Sequence, residues 1–251
     1  MHNKSPGDGT KLRAAMNPAR LCRMDDSLMR VLREDCEAER LSLGWSLLIV
    51  VGMAMLGASF GLWRGPRQAL YGAIKMPLML HAVVWFSVAA NAMLNWLLGG
   101  GLSLRQVRRC VLAALAIMSV LLASCSPVIA YLVSQAPTPD SAVGPAAYRI
   151  LLSTLVFCVG CGGLVGYVRL FRLLCALTPS RAVAWRVLLA WVLTTGLVGT
   201  QCSWLLSPFV QRPDVPVTFW NPAAFSSNFF EHLWFHVARP WLGTLLTGSR
   251  M

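Results

Sequence analysis

Four polar side chains lie inside long apolar stretches of this chain, where they could do chemistry within a membrane. His81 is the one histidine in such a stretch, and Asn91 and Asn95 follow on nearly the same face of one predicted helix. Gln201 lies in a later apolar stretch. Together these groups could line a pore or bind a polar headgroup. The plainer interpretation, which we favour, is that they form hydrogen bonds between helices.

Two other pairs have the spacing of metal ligands. Cys158 and Cys161 form a C-x-x-C sequence, but no second pair accompanies them, and an apolar stretch stabilises thiolates poorly. His232 and His236 stand four residues apart beside Glu231, without an obvious third ligand. We therefore interpret the cysteines as small hydrophobes and the histidines as part of an amphipathic helix. The sequence predicts no catalytic residue, no metal site and no cofactor.

The elements that carry these residues follow from five stretches that contain no Asp, Glu, Lys or Arg. Each is at least 19 residues long, and a helix needs about 20 apolar residues to cross a bilayer core of about 30 Å. Charged residues make up 13% of the chain, against about 25% in ordinary soluble domains. The sequence therefore predicts an all-α, polytopic transmembrane helical bundle. The five predicted spans are 42–63, 77–99, 111–134, 150–168 and 187–208.

The charge distribution narrows the possible chemistry and the partners. No Asp or Glu lies in any predicted span, which disfavours proton relays, intramembrane aspartyl proteolysis and carboxylate sodium sites. The net charge of +12 comes from cations that flank the spans, where they meet anionic lipid. We predict membrane lipids as partners, together with other membrane protein subunits or a second copy of the chain, and no nucleic acid.

The predicted spans divide the chain into four regions. These are a disordered segment (1–24), a cytoplasmic amphipathic helix (25–41), the five-span bundle (42–208) and an aromatic-rich extracytoplasmic tail (209–251). Within the bundle, Gly65-Pro66 predicts a helix break, and residues 67–76 are expected to form a separate interfacial helix. Lys75 would then extend toward the headgroups.

Glycines and one proline are expected to shape the packing of the spans. Small-residue notches let transmembrane helices approach closely. The notches are Gly57 with Gly61, and Gly162 with Gly166. Pro127 lacks an N–H, which predicts a kink in the third span and a carbonyl at Ala123 that Ser124 or Ser126 could cover.

The orientation follows from the positions of the cations. With the N-terminus in the cytoplasm, the cytoplasmic segments hold fifteen of the 22 Lys and Arg residues. This bias predicts a cytoplasmic N-terminus and an outer C-terminus, in a bacterial inner membrane. The first 41 residues are polar and contain no secretory signal, so we expect the first span to serve as an uncleaved anchor.

The tail is rich in aromatic residues yet too interrupted by proline for a sixth span. We predict a helix over 228–238 that lies along the outer membrane face, begins at Asn228 and docks through buried apolar side chains. The predicted docking residues are Phe230, Leu233, Trp234 and Val237.

Two sequence patterns resemble those of uncharacterised bacterial multispan membrane proteins. One is QALY at 68–71 leading to KMP at 75–77, and the other is QCSWLLSPFVQRP at 201–213 followed by SNFFE at 227–231. The five-span plan with a polar N-terminal segment also resembles the Yip1-like membrane family. That second resemblance implies a role in membrane organisation or trafficking and transfers no functional residue.

Three classes of function remain open on sequence grounds. A non-catalytic membrane scaffold or assembly protein accounts for the absence of intramembrane acids and for the glycine notches, and it is the class we favour. An oligomeric channel or transporter for a small solute or ion would use the polar residues of the spans. A membrane enzyme that acts on lipid is the third class.

Overall fold

The protein folds as a bundle of long helices joined by short connections. The structure, a computed structural model, describes residues 38–210, 212–220 and 229–233. A single 3-10 turn, Leu62–Arg64, follows the first helix. The helices are α1 (Ala38–Gly61), α2 (Pro66–Leu97), α3 (Leu104–Gln135), α4 (Gly144–Leu177), α5 (Arg181–Leu206) and α6 (Phe229–Leu233).

Helices α1 to α5 are each long and apolar enough to cross a membrane. This confirms the predicted all-α bundle with five spans, and within the described ranges no strand is present. The helices extend past the charge-free stretches, most clearly α4, which has 34 residues where 150–168 was predicted. An arginine near a helix end can reach the headgroups with its charge while its backbone continues the helix.

The start of α2 differs from the prediction. Residues 67–76 are not a separate interfacial helix but the first turns of one continuous helix that contains Pro77. Gly65 has φ 102°, a conformation that favours glycine, and Pro66 occupies the first turn of α2, where its missing N–H has no cost. The chain therefore reverses sharply, and the first turns of α2 pack back against the end of α1.

Helix α1 lies at the centre of the packing, between α2 and α3, with α4 against α3 and α5 against α2. Its buried face repeats at the spacing of one helical stripe. That stripe consists of Leu41, Trp45, Ile49, Met53, Leu56 and Phe60. Over the most apolar stretch of α1, α2 and α3, half or more of the residues are buried. In α4 and α5, 22% of the residues in the corresponding stretch are buried. The fold is therefore a three-helix core flanked by two helices that are more exposed.

Glycines allow the closest approaches in this core. Gly57 of α1 faces Gly72 of α2, and in each case a Cβ atom would overlap the other residue's backbone carbonyl. Gly61 lies against the backbone of Ala69, and Gly166 of α4 lies against the carbonyl of Ala114. These contacts place the first turns of α2 and the middle of α4.

Helix α3 runs continuously from Leu104 to Gln135 through Pro127. The Ser124 hydroxyl donates to the carbonyl of Val120 and the Ser126 hydroxyl to that of Leu122, so neither covers Ala123 as expected. Both serines instead bond one turn back along their own helix. The kink at Pro127 stays a prediction.

Candidate functional site

Residues 207–220, here called the cover segment, leave α5 and lie against the first turns of α2; all of them except residue 211 are described. A non-helical backbone next to a membrane span needs donors for its carbonyls, because lipid supplies none. Side chains near the start of α2 supply them. Lys75 Nζ donates to Pro208 O (3.3 Å), Gln68 Nε2 to Phe209 O (3.1 Å) and an Arg64 N–H to Val215 O (2.9 Å).

Lys75 is the most unusual residue of this site, because its side chain is fully buried. Its ammonium lies 5.0 Å from the centre of the Phe219 ring, within the range of a cation–π interaction. Tyr71 meets the same ring edge to face, with 5.1 Å between the centroids. No carboxylate of the described residues forms an ion pair with Lys75. The expectation that Lys75 extends to the headgroups was therefore wrong, since the cover segment encloses it.

Gln68, about two turns before this lysine on α2, is also fully buried. Its amide N–H binds the cover segment, while its Oε1 has no hydrogen-bond partner among the described residues. Gln68, Tyr71 and Lys75 stand at i, i+3 and i+7, so they share one face of α2. That spacing is the sequence signal that could have identified the site.

The patterns 68–77 and 201–213, singled out above for their resemblance, contact each other in the structure. Two of the donors, Gln68 and Lys75, lie in the first pattern, and their acceptors, Phe209 and Pro208, lie in the second. The two patterns are therefore the two sides of one contact.

A cleft of about 560 Å³ opens beside the cover segment at the same end of the bundle. It is lined by Pro145, Tyr148 and Arg149 of α4 and by Arg212, Pro213 and Asp214 of the cover segment. Both carboxylate oxygens of Asp214 accept hydrogen bonds from Arg212, at 3.0 and 2.7 Å. The hydrogen bond from Arg212 lowers the pKa of Asp214, so this carboxyl is ionised at neutral pH.

Aromatic side chains mark the level of this cleft in the membrane. The Trp63 ring stacks on Tyr148 with 6.4 Å between the centroids, and its indole N–H donates to Pro137 O at 2.9 Å. Amphipathic rings of this kind are enriched at the interface between apolar core and headgroups. By this criterion the cleft is expected at headgroup depth.

The polar residues predicted within the spans do not form one site. Asn91 and Asn95 are fully buried, whereas His81 is half-buried and about 15 Å from Asn91 along the helix. His81 Nδ1–H donates to Pro77 O at 2.8 Å within its own helix. Asn95 donates to Leu102 O at 3.1 Å, in the connection that follows α2.

Asn91 joins α2 to α5. Its amide donates to Thr195 Oγ1 at 3.2 Å, and the Trp191 indole donates to the Asn91 backbone carbonyl at 2.8 Å. Gln201, lower on α5, accepts from the backbone N–H of Phe229 at 3.2 Å and so fixes the start of α6. Each of these polar residues therefore forms a hydrogen bond with a different part of the protein.

The structure describes only part of the predicted tail helix. Helix α6 lies within the predicted 228–238, and Phe230 is 42% exposed in the chain itself, so its docking at the membrane face or on a partner stays a prediction. Phe229 contacts α5, 6.4 Å from Trp204 between ring centroids, because Gln201 binds its backbone. The other predicted docking residues and the cap lie outside the residues whose side chains are described; they are Leu233, Trp234, Val237 and Asn228.

The cysteine pair forms no metal site in the described part of the chain, and the side chains of the histidine pair lie outside it. Cys161 is exposed and Cys158 half-buried, and both are free thiols. Over the residues described, no group of three or more His, Cys, Asp or Glu could hold a metal ion. The side chains of His232 and His236 lie outside those residues, as do 1–24 and most of 25–41, of which 38–41 begin α1.

Comparison with protein-family models, with curated proteins and with solved structures found no match. The resemblance of 68–77 and 201–213 to bacterial multispan proteins stays a prediction, as does the Yip1-like layout. The function is therefore argued from the contacts and exposed faces of this chain.

Proposed function

We propose that this protein is a non-catalytic integral membrane scaffold whose α4 and α5 pack against other transmembrane helices. The observation that carries the proposal is the uneven burial of the bundle. Helices α1 to α3 cover one another, whereas only 22% of the most apolar stretch of α4 or of α5 is buried. An assembly protein needs such helices, because they can contact lipid or a neighbouring span without disturbing its own core.

Two glycines on the exposed faces of α4 and α5 support this proposal. A Cβ atom at Gly160 of α4 or Gly196 of α5 would meet nothing within 4 Å. In the core, by contrast, the notch at Gly57 is filled by Gly72. Small residues allow close packing between membrane helices, and these two notches are open. They are the places where a span of a second copy or of another membrane protein fits.

A channel or transporter is less well supported by the same contacts. It would use His81, Asn91, Asn95 and Gln201 as a path for a solute. Their hydrogen bonds instead go to four different places: the turn before, helix α5, the connection after α2, and α6. These bonds position helices, which is the role expected of a scaffold.

The scaffold proposal predicts protein neighbours at the open notches. A photo-crosslinking amino acid at Gly160 or Gly196 should give discrete protein adducts after irradiation of intact membranes. At Trp85 and Trp96 of α2, both 77% exposed, the same probe should give lipid adducts only. Two differently tagged copies expressed together would identify a second copy as the neighbour. Lipid adducts alone at 160 and 196 would refute the proposal.

We also propose that the protein lies in a bacterial inner membrane with its N-terminus in the cytoplasm. The start of α5 and the start of α4 lie at opposite ends of the bundle, which allows a matched test. In a variant without native cysteines, Ala142→Cys should react with an impermeant maleimide added outside intact cells, and Ala182→Cys only after permeabilisation. Both alanines are exposed, so reaction of both from outside would contradict this orientation.

A further inference from the structure

The charged side chains that line the cleft beside the cover segment differ in whether they have a partner. Arg212 is bound by Asp214 through both carboxylate oxygens. Arg149 is exposed and makes no hydrogen bond or ion pair to any described residue. Two arginines and one aspartate leave one net positive charge on the lining. The cleft is therefore suited to an anion, and Arg149 is the cation available to bind it.

The walls of the cleft are apolar. Pro145, Pro213 and the Tyr148 ring form them, and the volume of about 560 Å³ is in the range of small-molecule sites. Next along α4, Ile150 and Val156 are exposed, each by 66%. An anion bound at Arg149 would thus lie at the head of an open apolar face. A ligand with a charged head and hydrocarbon chains matches both parts, whereas a free anion matches only the first.

We propose that this cleft binds the headgroup of an anionic glycerophospholipid, with the phosphodiester on Arg149 and the acyl chains along α4. The Tyr148 and proline side chains would contact the glycerol region. Arg149 lies in the first turns of α4, at the end of a span, where the headgroup phosphates of the bilayer are expected. Occupation by lipid would also fill the space between α4 and the cover segment.

The test uses the full chain in vesicles of phosphatidylethanolamine that contain phosphatidylglycerol with a photoreactive acyl chain. After irradiation and digestion, the label should map to the first turns of α4. Arg149→Gln should reduce that label about tenfold, since a hydrogen bond to a charged group is lost. Arg149 is exposed and unbonded, so the variant should unfold like the wild type.

Arg67→Gln is the matched control, because Arg67 is exposed at the same end of the bundle and, among the described residues, its one hydrogen bond is to Tyr71 of its own helix. It should leave the label unchanged. Equal labelling by a photoreactive phosphatidylcholine would overturn the choice of an anionic lipid. Complete competition by inorganic phosphate would show a site for a free anion, and no effect of Arg149→Gln would show that the cleft binds no headgroup. Either result would overturn the proposal.

Discussion

Substituting Gly72 by alanine should lower the free energy of unfolding of the bundle by about 2 kcal/mol. A Cβ atom there would overlap the backbone carbonyl of Gly57 on α1. A carbonyl cannot rotate away as a side chain can, so the two helices must separate. Overpacking costs about 1–3 kcal/mol and sometimes more, while alanine regains at most about 1 kcal/mol over glycine in a helix. Reversible unfolding by an anionic detergent in mixed micelles would measure the difference.

Gly160→Ala is the matched control for this substitution. It makes the same chemical change inside a helix, at a site where the new methyl group meets nothing within 4 Å. Its free energy of unfolding should be equal to that of the wild type or higher by up to about 1 kcal/mol. If the alanines at 72 and 160 had the same effect, the contact between Gly57 and Gly72 would not hold α1 against α2.

The five spans could be predicted because the bilayer fixes their length and composition. A charge-free stretch of about 20 residues has few alternatives to a membrane helix. The turn at Gly65-Pro66 was harder, since the same dipeptide is compatible with a helix break or with proline in the first helical turn. The structure has the second arrangement, and α2 therefore begins at Pro66 rather than near Pro77.

Of the contact around Lys75, only the side that belongs to α2 could be predicted from the sequence. The spacing of Gln68, Tyr71 and Lys75 shows that they share a face of α2. Lys75 and Gln68 donate to backbone carbonyls, which have no sequence signature. These carbonyls lie 133 and 141 residues away along the chain. The tail shows the same limit, because Phe229 is held against α5 by a hydrogen bond from its backbone N–H to Gln201 Oε1, 28 residues away along the chain.

Reversing the charge of Lys75 should release the cover segment from α2. A glutamate would face the Pro208 carbonyl and the negative face of the Phe219 ring, and would repel both. The variant also loses a charged hydrogen bond of about 1.5–3 kcal/mol and a cation–π contact of up to about 2 kcal/mol. Val210, 2% exposed in the cover segment, reports the release when it is replaced by cysteine. Maleimide labelling of Val210→Cys should accelerate at least about tenfold, which corresponds to about 1.4 kcal/mol.

Two further variants separate charge from packing at this site. Arg67→Glu reverses an exposed charge on the same helix and should leave the labelling rate of Val210→Cys unchanged. Lys75→Met removes the charge but keeps the length of the side chain. It leaves the Pro208 carbonyl without this donor but also removes the cost of burying an ammonium, so its labelling should accelerate less than that of Lys75→Glu. Slow labelling in Lys75→Glu would mean that the cover segment is held without Lys75, by Gln68 and Arg64.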